Sequence, residues 1–92
     1  MNKQKIILTI SGLDKVGIVA SVATTLTSLQ INIEDIKQTI MQDNFVMVML
    51  CDISKTEKSF KEIKDEIISC AEKLGMEAWI QRKEIFDKMH TI

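Results

Sequence analysis

The sequence of 92 residues has no proline and no tyrosine, and only three glycines, two cysteines and one histidine. Without proline, no helix or strand contains an internal residue that lacks a backbone donor. Cys51 and Cys70 are too few for a disulfide scaffold and lack metal-ligand spacing, so we expect reduced packing residues. His90 has no second histidine or neighbouring cysteine, whereas a zinc site needs three or four ligands. We therefore expect no metal site and no cofactor.

Neither sign of charge predominates, because 12 basic and 13 acidic side chains give a formal net charge of -1. RNA-binding sheets need a basic surface and stacking aromatic residues, and this slightly acidic chain has only three Phe and one Trp. The longest apolar run, residues 45–51, is too short to span a bilayer, and the first residues show no signal-peptide pattern. We expect a cytoplasmic protein with no nucleic-acid partner and no membrane partner.

The composition is that of one folded domain covering residues 1–92. Hydrophobic residues make up 46% of the chain and charged residues 27%, whereas disordered chains combine low hydrophobicity with high net charge. This length lies near the lower end of the sizes that fold independently. No linker, low-complexity stretch or repeat divides the chain, so we predict a single domain whose residues 83–92 form a C-terminal amphipathic tail.

The spacing of apolar residues predicts the element order βαββαβ, followed by the tail. Strands are indicated where apolar residues alternate or run continuously, and helices where they recur every three or four positions. The predicted strands are residues 5–11, 32–41, 45–53 and 76–82, and the predicted helices are residues 16–29 and 54–74. Gly75 suits the end of the second helix. The tail is predicted to form one or two helical turns with Ile85, Phe86 and Met89 on one side.

Local patterns predict how several of these elements begin and end. A shift in the apolar phase of the second strand indicates a bulge near Glu34 and Asp35. Residues 42–44, with the sequence Gln-Asp-Asn, are typical of a hairpin turn. Ser54 and Glu57 have the spacing of a capping box, which predicts that the second helix begins there.

This element order favours an α+β, ferredoxin-like fold. Right-handed crossovers place both helices on one face of an antiparallel sheet. The first and third strands are the most apolar and are predicted to be central, which gives the spatial order 4-1-3-2. Both strands also carry apolar residues on their second face, Ile7 among them. We expect a second subunit or the C-terminal tail to cover that face.

A glycine-bounded turn between the first strand and the first helix is the best candidate for a small-molecule site. We expect Gly12 to permit a positive φ and a close backbone approach, and Asp14 to accept hydrogen bonds from the first helical turn. A helix N-terminus also suits a carboxylate. Gly12 and Gly17 have the spacing of a phosphate loop, but Ile18 and Val19 stand where that loop has Lys and Ser or Thr. Nucleotide hydrolysis is therefore rejected.

The potential nucleophiles and acid–base groups of the sequence form no catalytic arrangement, so we expect no enzymatic activity. Ser11 has no evident His or Lys partner, and no carboxylates form an evident pair in an apolar setting. Four residues keep two interpretations each. Gly17 either allows close packing in the first helical turn or lets a ligand approach the backbone. Asp14 either caps the helix only or also contacts a ligand; Asn32 is either a turn residue or a ligand contact. Trp79 either packs within the domain or lies at an interface.

Two segments resemble the ACT domain family: Asp14-Lys15-Val16-Gly17-Ile18-Val19-Ala20 and Gln30-Ile31-Asn32-Ile33. Residues 84–92 are similar to the tail of small stand-alone ACT-domain proteins of bacteria and archaea, so the resemblance covers nearly the whole chain. It implies a βαββαβ module that works in pairs and binds small ligands, commonly amino acids, at a subunit interface. The implied ligand-binding residues are Gly12, Leu13, Asp14, Lys15, Val16, Gly17, Ile18, Asn32 and Ile33. Many ACT domains have Pro where Val16 stands, so the turn is less rigid here.

The leading functional hypothesis is a non-catalytic, regulatory homodimer that binds an amino acid or similar carboxylate at the dimer interface. Ligand binding would stabilise one arrangement of the subunits. The alternative is a protein-interaction module that binds a protein target through the open sheet face and the C-terminal tail. The stand-alone proteins that the chain resembles have no attached enzyme to regulate, so the resemblance implies no target.

Overall fold

The computed structural model describes residues 4–89, apart from the side chain of Met89. The elements are β1 (Lys5–Leu13), α1 (Ile18–Ser28), β2 (Asn32–Met41), β3 (Asn44–Asp52), α2 (Phe60–Lys73), β4 (Glu77–Arg82) and α3 (Lys83–Met89). This order is the predicted βαββαβ with a helical tail. The expectations for His90 and for the side chain of Met89 lie outside the described residues. None of the helices within residues 4–89 has the length and apolar character needed to cross a bilayer.

The four strands form one antiparallel sheet in the spatial order β2-β3-β1-β4. The predicted order 4-1-3-2 and the ferredoxin-like fold class are confirmed. β1 and β3 are central because alternate side chains of both strands are buried in one core together with side chains of α1 and α2. These strand residues are Ile6, Leu8, Ile10, Phe45, Met47, Met49 and Cys51.

β2 contains the predicted bulge, and an ion pair fixes it in place. The register with β3 shifts between Ile33 and Asp35, which leaves Glu34 as the extra residue. The Lys5 ammonium lies 2.6 Å from a carboxylate oxygen of Glu34. Because of this extra residue, Ile33 and Ile36 both face the helices although they are three positions apart.

α2 begins later than predicted because a different serine caps it. The Ser59 hydroxyl accepts from the backbone N–H of Glu62 at 3.1 Å, and the Glu62 carboxylate accepts from the Ser59 N–H at 2.8 Å. The prediction of a capping box at Ser54 and Glu57 is therefore wrong. The Ser54 N–H instead donates to the Asp52 carboxylate at 2.8 Å, which forms a turn after β3.

The sheet face opposite α1 and α2 is partly covered by the tail. Ile7 lies on that face and is still buried, while α3 contacts both β1 and β4. We interpret α3 as the cover over Ile7. Trp79 pairs with Thr9 on the same face, and 51% of its surface is exposed. The tail, one of the two expected covers, therefore covers part of this face and leaves Trp79 half exposed.

Candidate ligand-binding site

The connection between β1 and α1 lies at the end of the sheet where β1 meets the β2–β3 hairpin. Leu13 is the last residue of β1 and pairs with Asn44, the first residue of β3. The backbone N–H of Asp14 donates to the carbonyl oxygen of Asp43 at 3.0 Å. Because Asp43 lies in the hairpin turn, this bond fixes the start of the connection against the sheet.

The N-cap of α1 is Gly17, so the prediction that Asp14 caps this helix is wrong. Gly17 has φ +88°, a left-handed conformation that glycine adopts without strain. Among the described residues, no side chain makes the capping hydrogen bond at this helix start. The first N–H groups of an α-helix have no partner within the helix, and they carry partial positive charge. The start of α1 can therefore donate hydrogen bonds to an anion.

Gly12 fulfils one of its two predicted roles. Its φ is not positive, because it lies inside β1 and pairs with Phe45 in extended conformation. The predicted close approach is real: a Cβ atom at this position would lie 2.6 Å from Sδ of Met76 and 3.3 Å from Cα of Met76. A side chain at Gly12 would therefore require Met76, which leads into β4, to shift.

The remaining residues of the connection differ in what they can offer a ligand. Leu13 and Val16 are exposed, and Val19 in the first turn of α1 is partly exposed. Ile18 is buried in the core, so only its backbone faces the connection. Lys15 is exposed, and its ammonium lies near Gly75 at the end of α2. The connection therefore combines backbone donors, apolar side chains and one cation.

Asn32 and Ile33 do not join this group within one protomer. Asn32 pairs with Asp52, which also pairs with Lys5 at the opposite end of β1 from Leu13. Eight residue steps along a strand correspond to about 27 Å. The structure thus divides the predicted ligand-binding residues between the two ends of the sheet, with residues 12–18 at one end and residues 32–33 at the other.

Gly75 and Met76, which the sequence analysis did not assign to the site, lie beside Lys15 and Gly12. The prediction for Gly75 concerned only the end of the second helix, and it is confirmed by φ +72°. The predicted antiparallel order 4-1-3-2 already implies that the turn after α2 lies beside the end of β1. This proximity follows from the antiparallel pairing of β1 with β4, in which Ser11 lies opposite Glu77.

A concave surface elsewhere on the molecule offers less defined chemistry. A groove of about 440 Å³ runs between α1 and α2, lined by Ala20, Ser21, Thr24, Thr25, Glu66, Ser69, Cys70, Lys73 and Leu74. Small hydroxyl and methyl groups dominate this lining, and within residues 4–89 no buried polar side-chain atom lacks a partner. In the same part of the chain, no three His, Cys, Asp or Glu side chains are grouped to hold a metal ion.

Comparisons with known proteins agree with this architecture. The family model described as ACT domain matches residues 4–81. A UPF0237 protein of Listeria innocua is 49% identical over 86 residues, which cover 94% of this chain and 97% of that protein.

Solved structures show the same fold. An ACT domain protein from Streptococcus pneumoniae has a TM-score of 0.81, with 32% identity and 99% coverage of both chains. The regulatory subunit of aspartate kinase from Thermus thermophilus shares the fold at 18% identity, with a TM-score of 0.67. That comparison covers 86% of this chain and 51% of that chain. By its sequence and its fold, the chain belongs to the ACT domain family, whose members are regulatory ligand-binding modules.

Proposed function

We propose that the protein is a cytoplasmic, non-catalytic homodimer that binds an amino acid or similar carboxylate between its two subunits. The observation that carries this proposal is the start of α1, where Gly17 leaves the first N–H groups without a side-chain acceptor. A carboxylate accepts such hydrogen bonds and is favoured by the helix dipole. The exposed side chains of Leu13 and Val16 provide apolar surface for the rest of a small ligand.

The edge strand β2 supports the dimer. Within residues 4–89, β2 pairs only with β3, so its other edge presents backbone groups that a second strand can bind. Ile36 and Ile40 lie on its helix-facing side, with 37% and 57% of their surfaces exposed. A second copy at this edge would extend the sheet and cover both side chains.

Dimer symmetry would also bring the two separated groups of predicted ligand-binding residues, 12–18 and 32–33, to the same end of the sheet. Two β2 strands related by a two-fold axis perpendicular to the sheet run antiparallel, so the Asn32 end of one copy lies beside the Met41 end of the other. Met41 pairs with Asn44, which pairs with Leu13, so this is the end where β1 meets α1. Each ligand site would then combine residues 12–18 of one subunit with residues 32–33 of its partner.

A ligand screen is the first test of this proposal. The melting temperature is measured against the free amino acids and small 2-oxo acids at fixed pH and ionic strength. A ligand present at about 100 times its dissociation constant adds roughly 2.7 kcal/mol of stability. Each kcal/mol raises the melting temperature of a domain of this size by about 4–8 °C. A selective rise identifies the ligand class, whereas no rise with any compound at high concentration contradicts the proposal.

Mixed dimers test whether the site is shared. Gly17→Asn adds a side chain at the helix start, and asparagine tolerates the left-handed conformation there. Asn32→Ala removes the proposed partner contact, so each variant alone should lose binding. If the subunits share the site, refolding an equal mixture restores about a quarter of the binding capacity, because half of the dimers are mixed and each has one intact site. A site within one protomer gives no restoration, since every protomer then carries one defect.

A protein-interaction module is the second candidate. The half-exposed Trp79 and the exposed Ile85 of α3 favour it, because exposed aromatic and aliphatic side chains are common at interfaces. A protein partner whose affinity is unchanged by every amino acid of the screen, and is lost in Trp79→Ala, would support this function.

A further inference from the structure

β4 is the other edge strand of the sheet, and it lacks the bulge, proline and lysine that often protect such an edge. Within residues 4–89 it pairs only with β1. Its register with β1 is continuous from Glu77 to Arg82, so no bulge twists the edge away. Residues 77–81 contain neither proline nor lysine, which often block pairing at an edge. The backbone of β4 can therefore accept a further strand.

The surface along this edge is partly apolar on both faces of the sheet. Two depressions of about 410 and 250 Å³ follow one another beside β4, and both are lined by Ile68, Ala78 and Trp79. Trp79 is half-exposed on the open face, and Ile68 of α2 is half-buried on the helix face. Apolar area of this kind leaves water when another strand is added, which favours the addition.

α2 places a row of opposite charges beside the same edge. Lys64, Ile68 and Glu72 are four residues apart, so they lie on one side of the helix. Lys64 lines the depression at the Ile80 end of β4, and Glu72 lines the depression at the Glu77 end. Both charged side chains are exposed. The row is therefore positive, apolar and negative along the strand, and it is complementary to a copy of itself in the reverse direction.

We propose that the β4 edge binds the β4 edge of a second copy, so that the sheet continues across a two-fold axis at Trp79. This contact goes beyond the proposed dimer, which uses β2, and does not depend on it. In an antiparallel pair centred on Trp79, the two indoles lie opposite each other on the open face, where aromatic pairs are favourable. On the helix face, Lys64 of each copy meets Glu72 of the other, and the two Ile68 side chains pack between these pairs.

The positions of the helices leave room for this pairing. α1 contacts β2 and α2 contacts β4, so the two helices are centred on the sheet. Four strands about 4.8 Å apart span about 14 Å, and two helices packed about 10 Å apart therefore lie inside the outer strands. When two β4 strands pair, the axes of the two α2 helices come to about 9 Å apart, which is an ordinary packing distance.

The size of the contact determines when it forms. Only residues 77–81 of a short strand take part, and small interfaces are weak. We therefore expect β4 to join copies at high protein concentration, whereas the proposed β2 dimer persists at low concentration. Since each copy has one β2 edge and one β4 edge, the two contacts together extend the assembly beyond two subunits.

Charge reversal tests the contact while leaving the core unchanged. Lys64→Glu brings carboxylates together at each end of the row, and Glu72→Lys brings ammonium groups together. Each variant alone should need about tenfold more protein to reach the same assembly. An equal mixture of the two variants should restore it, because every contact between unlike copies then joins opposite charges. Glu66→Lys is the matched control, since it makes the same change of charge on the side of α2 that faces α1, and it should assemble as wild type does.

Two measurements follow the contact from micromolar to millimolar protein. Sedimentation velocity gives the mean mass, which should rise above that of the dimer as the concentration of wild type increases. Trp79 is the only tryptophan of the sequence, so its fluorescence reports on the interface itself. Its emission should shift to shorter wavelengths together with the rise in mass, because the indole leaves water.

A wild type that keeps one mass and one emission maximum over this range overturns the proposal. A rise in mass that Lys64→Glu and Glu72→Lys leave unchanged also overturns it, because the copies then meet at another surface. The same holds if each variant loses the assembly and their mixture does not regain it. Mixed dimers of Gly17→Asn and Asn32→Ala test the β2 contact, so the two proposals can fail independently.

Discussion

Gly12 is a residue at which adding a single carbon atom should lower stability. A Cβ there meets both Sδ and Cα of Met76, and backbone moves less readily than the end of a side chain. We predict that Gly12→Ala lowers the free energy of unfolding by about 1–3 kcal/mol, the usual cost of overpacking. Urea unfolding measures this loss, which should be smaller in a Met76→Ala background than in wild type, because the Sδ atom is then absent. A Gly12→Ala variant as stable as wild type would show that Met76 does not pack against Gly12.

Cys51 makes stability depend on alkaline pH. Burial, and secondarily the Glu34 carboxylate, raises the pKa of its thiol from 9.0 to about 12. Above pH 9 the unfolded chain loses this proton while the folded chain keeps it, so the unfolded state is favoured as pH rises. The free energy of unfolding should fall by up to about 1.4 kcal/mol per pH unit in this window.

Cys51→Val provides the comparison, because it removes the titrating group and keeps an apolar, strand-compatible side chain. Unfolding by urea is measured for both proteins at pH values from about 8.5 to about 10.5. The difference in stability between wild type and the variant should change in favour of the variant as pH rises. A difference that stays constant with pH would mean that the Cys51 thiol titrates alike in both states.

At the scale of elements, two serines near the start of α2 allow the helix cap to be tested, with one serine serving as the control for the other. Ser59 and Glu62 satisfy each other's backbone N–H groups, so Ser59→Ala should cost about 1 kcal/mol of stability. Ser54→Ala should be close to neutral, because only the backbone N–H of Ser54 binds Asp52. Chemical denaturation of both variants checks this, and equal losses would contradict the assignment of the cap.

The same pair of serines shows which parts of an element the sequence can predict. Both Ser54 and Ser59 stand three residues before a glutamate, and spacing alone does not distinguish them. The choice depends on Asp52, which ties the first residues after β3 into a turn. In contrast, the strand order and the bulge at Glu34 were predictable, because the burial of apolar side chains determines both.

The site was less predictable than the fold, because its geometry depends on tertiary contacts. The pattern around Gly17 indicated a helix start that could hold a carboxylate, and it located residues 12–18 correctly at one end of β1. It also favoured Asp14 as the cap, whereas the backbone of Asp14 instead binds the hairpin at Asp43. The predicted strand order already placed β4 beside β1, but the close approach of Gly12 to Met76 and of Lys15 to Gly75 depends on side-chain packing that no local pattern encodes.

For the whole molecule, the separation of residues 12–18 from residues 32–33 is the central fact. A ligand site that needs both groups is incomplete in one protomer, since about 27 Å of strand separates them. In the proposed dimer, antiparallel pairing of two β2 strands would bring residues 12–18 of one subunit and residues 32–33 of the other to the same end of the extended sheet. Ligand binding would then stabilise the dimer directly, which gives a stand-alone module a means of regulation through its state of assembly.

Ile40 is the residue whose substitution best tests this assembly. Its side chain lies on the helix-facing side of the edge strand and is 57% exposed, so a lysine there should leave the fold of each protomer intact. In the proposed dimer the same position would lie beside residues 32–33 of the partner subunit, where a lysine ammonium would be removed from water at a large cost. We therefore predict that Ile40→Lys converts the dimer to folded monomers and abolishes ligand binding.

Sedimentation equilibrium gives the mass of each variant, and circular dichroism reports whether the fold is kept. Ile85→Lys is the matched control, because this α3 residue is similarly exposed but far from the free edge of β2. It should remain a dimer that binds ligand. If Ile85→Lys yields monomers and Ile40→Lys does not, the subunits pair through the open face and α3. The two groups of ligand-site residues would then stay apart in the dimer, and the shared site would have to be abandoned.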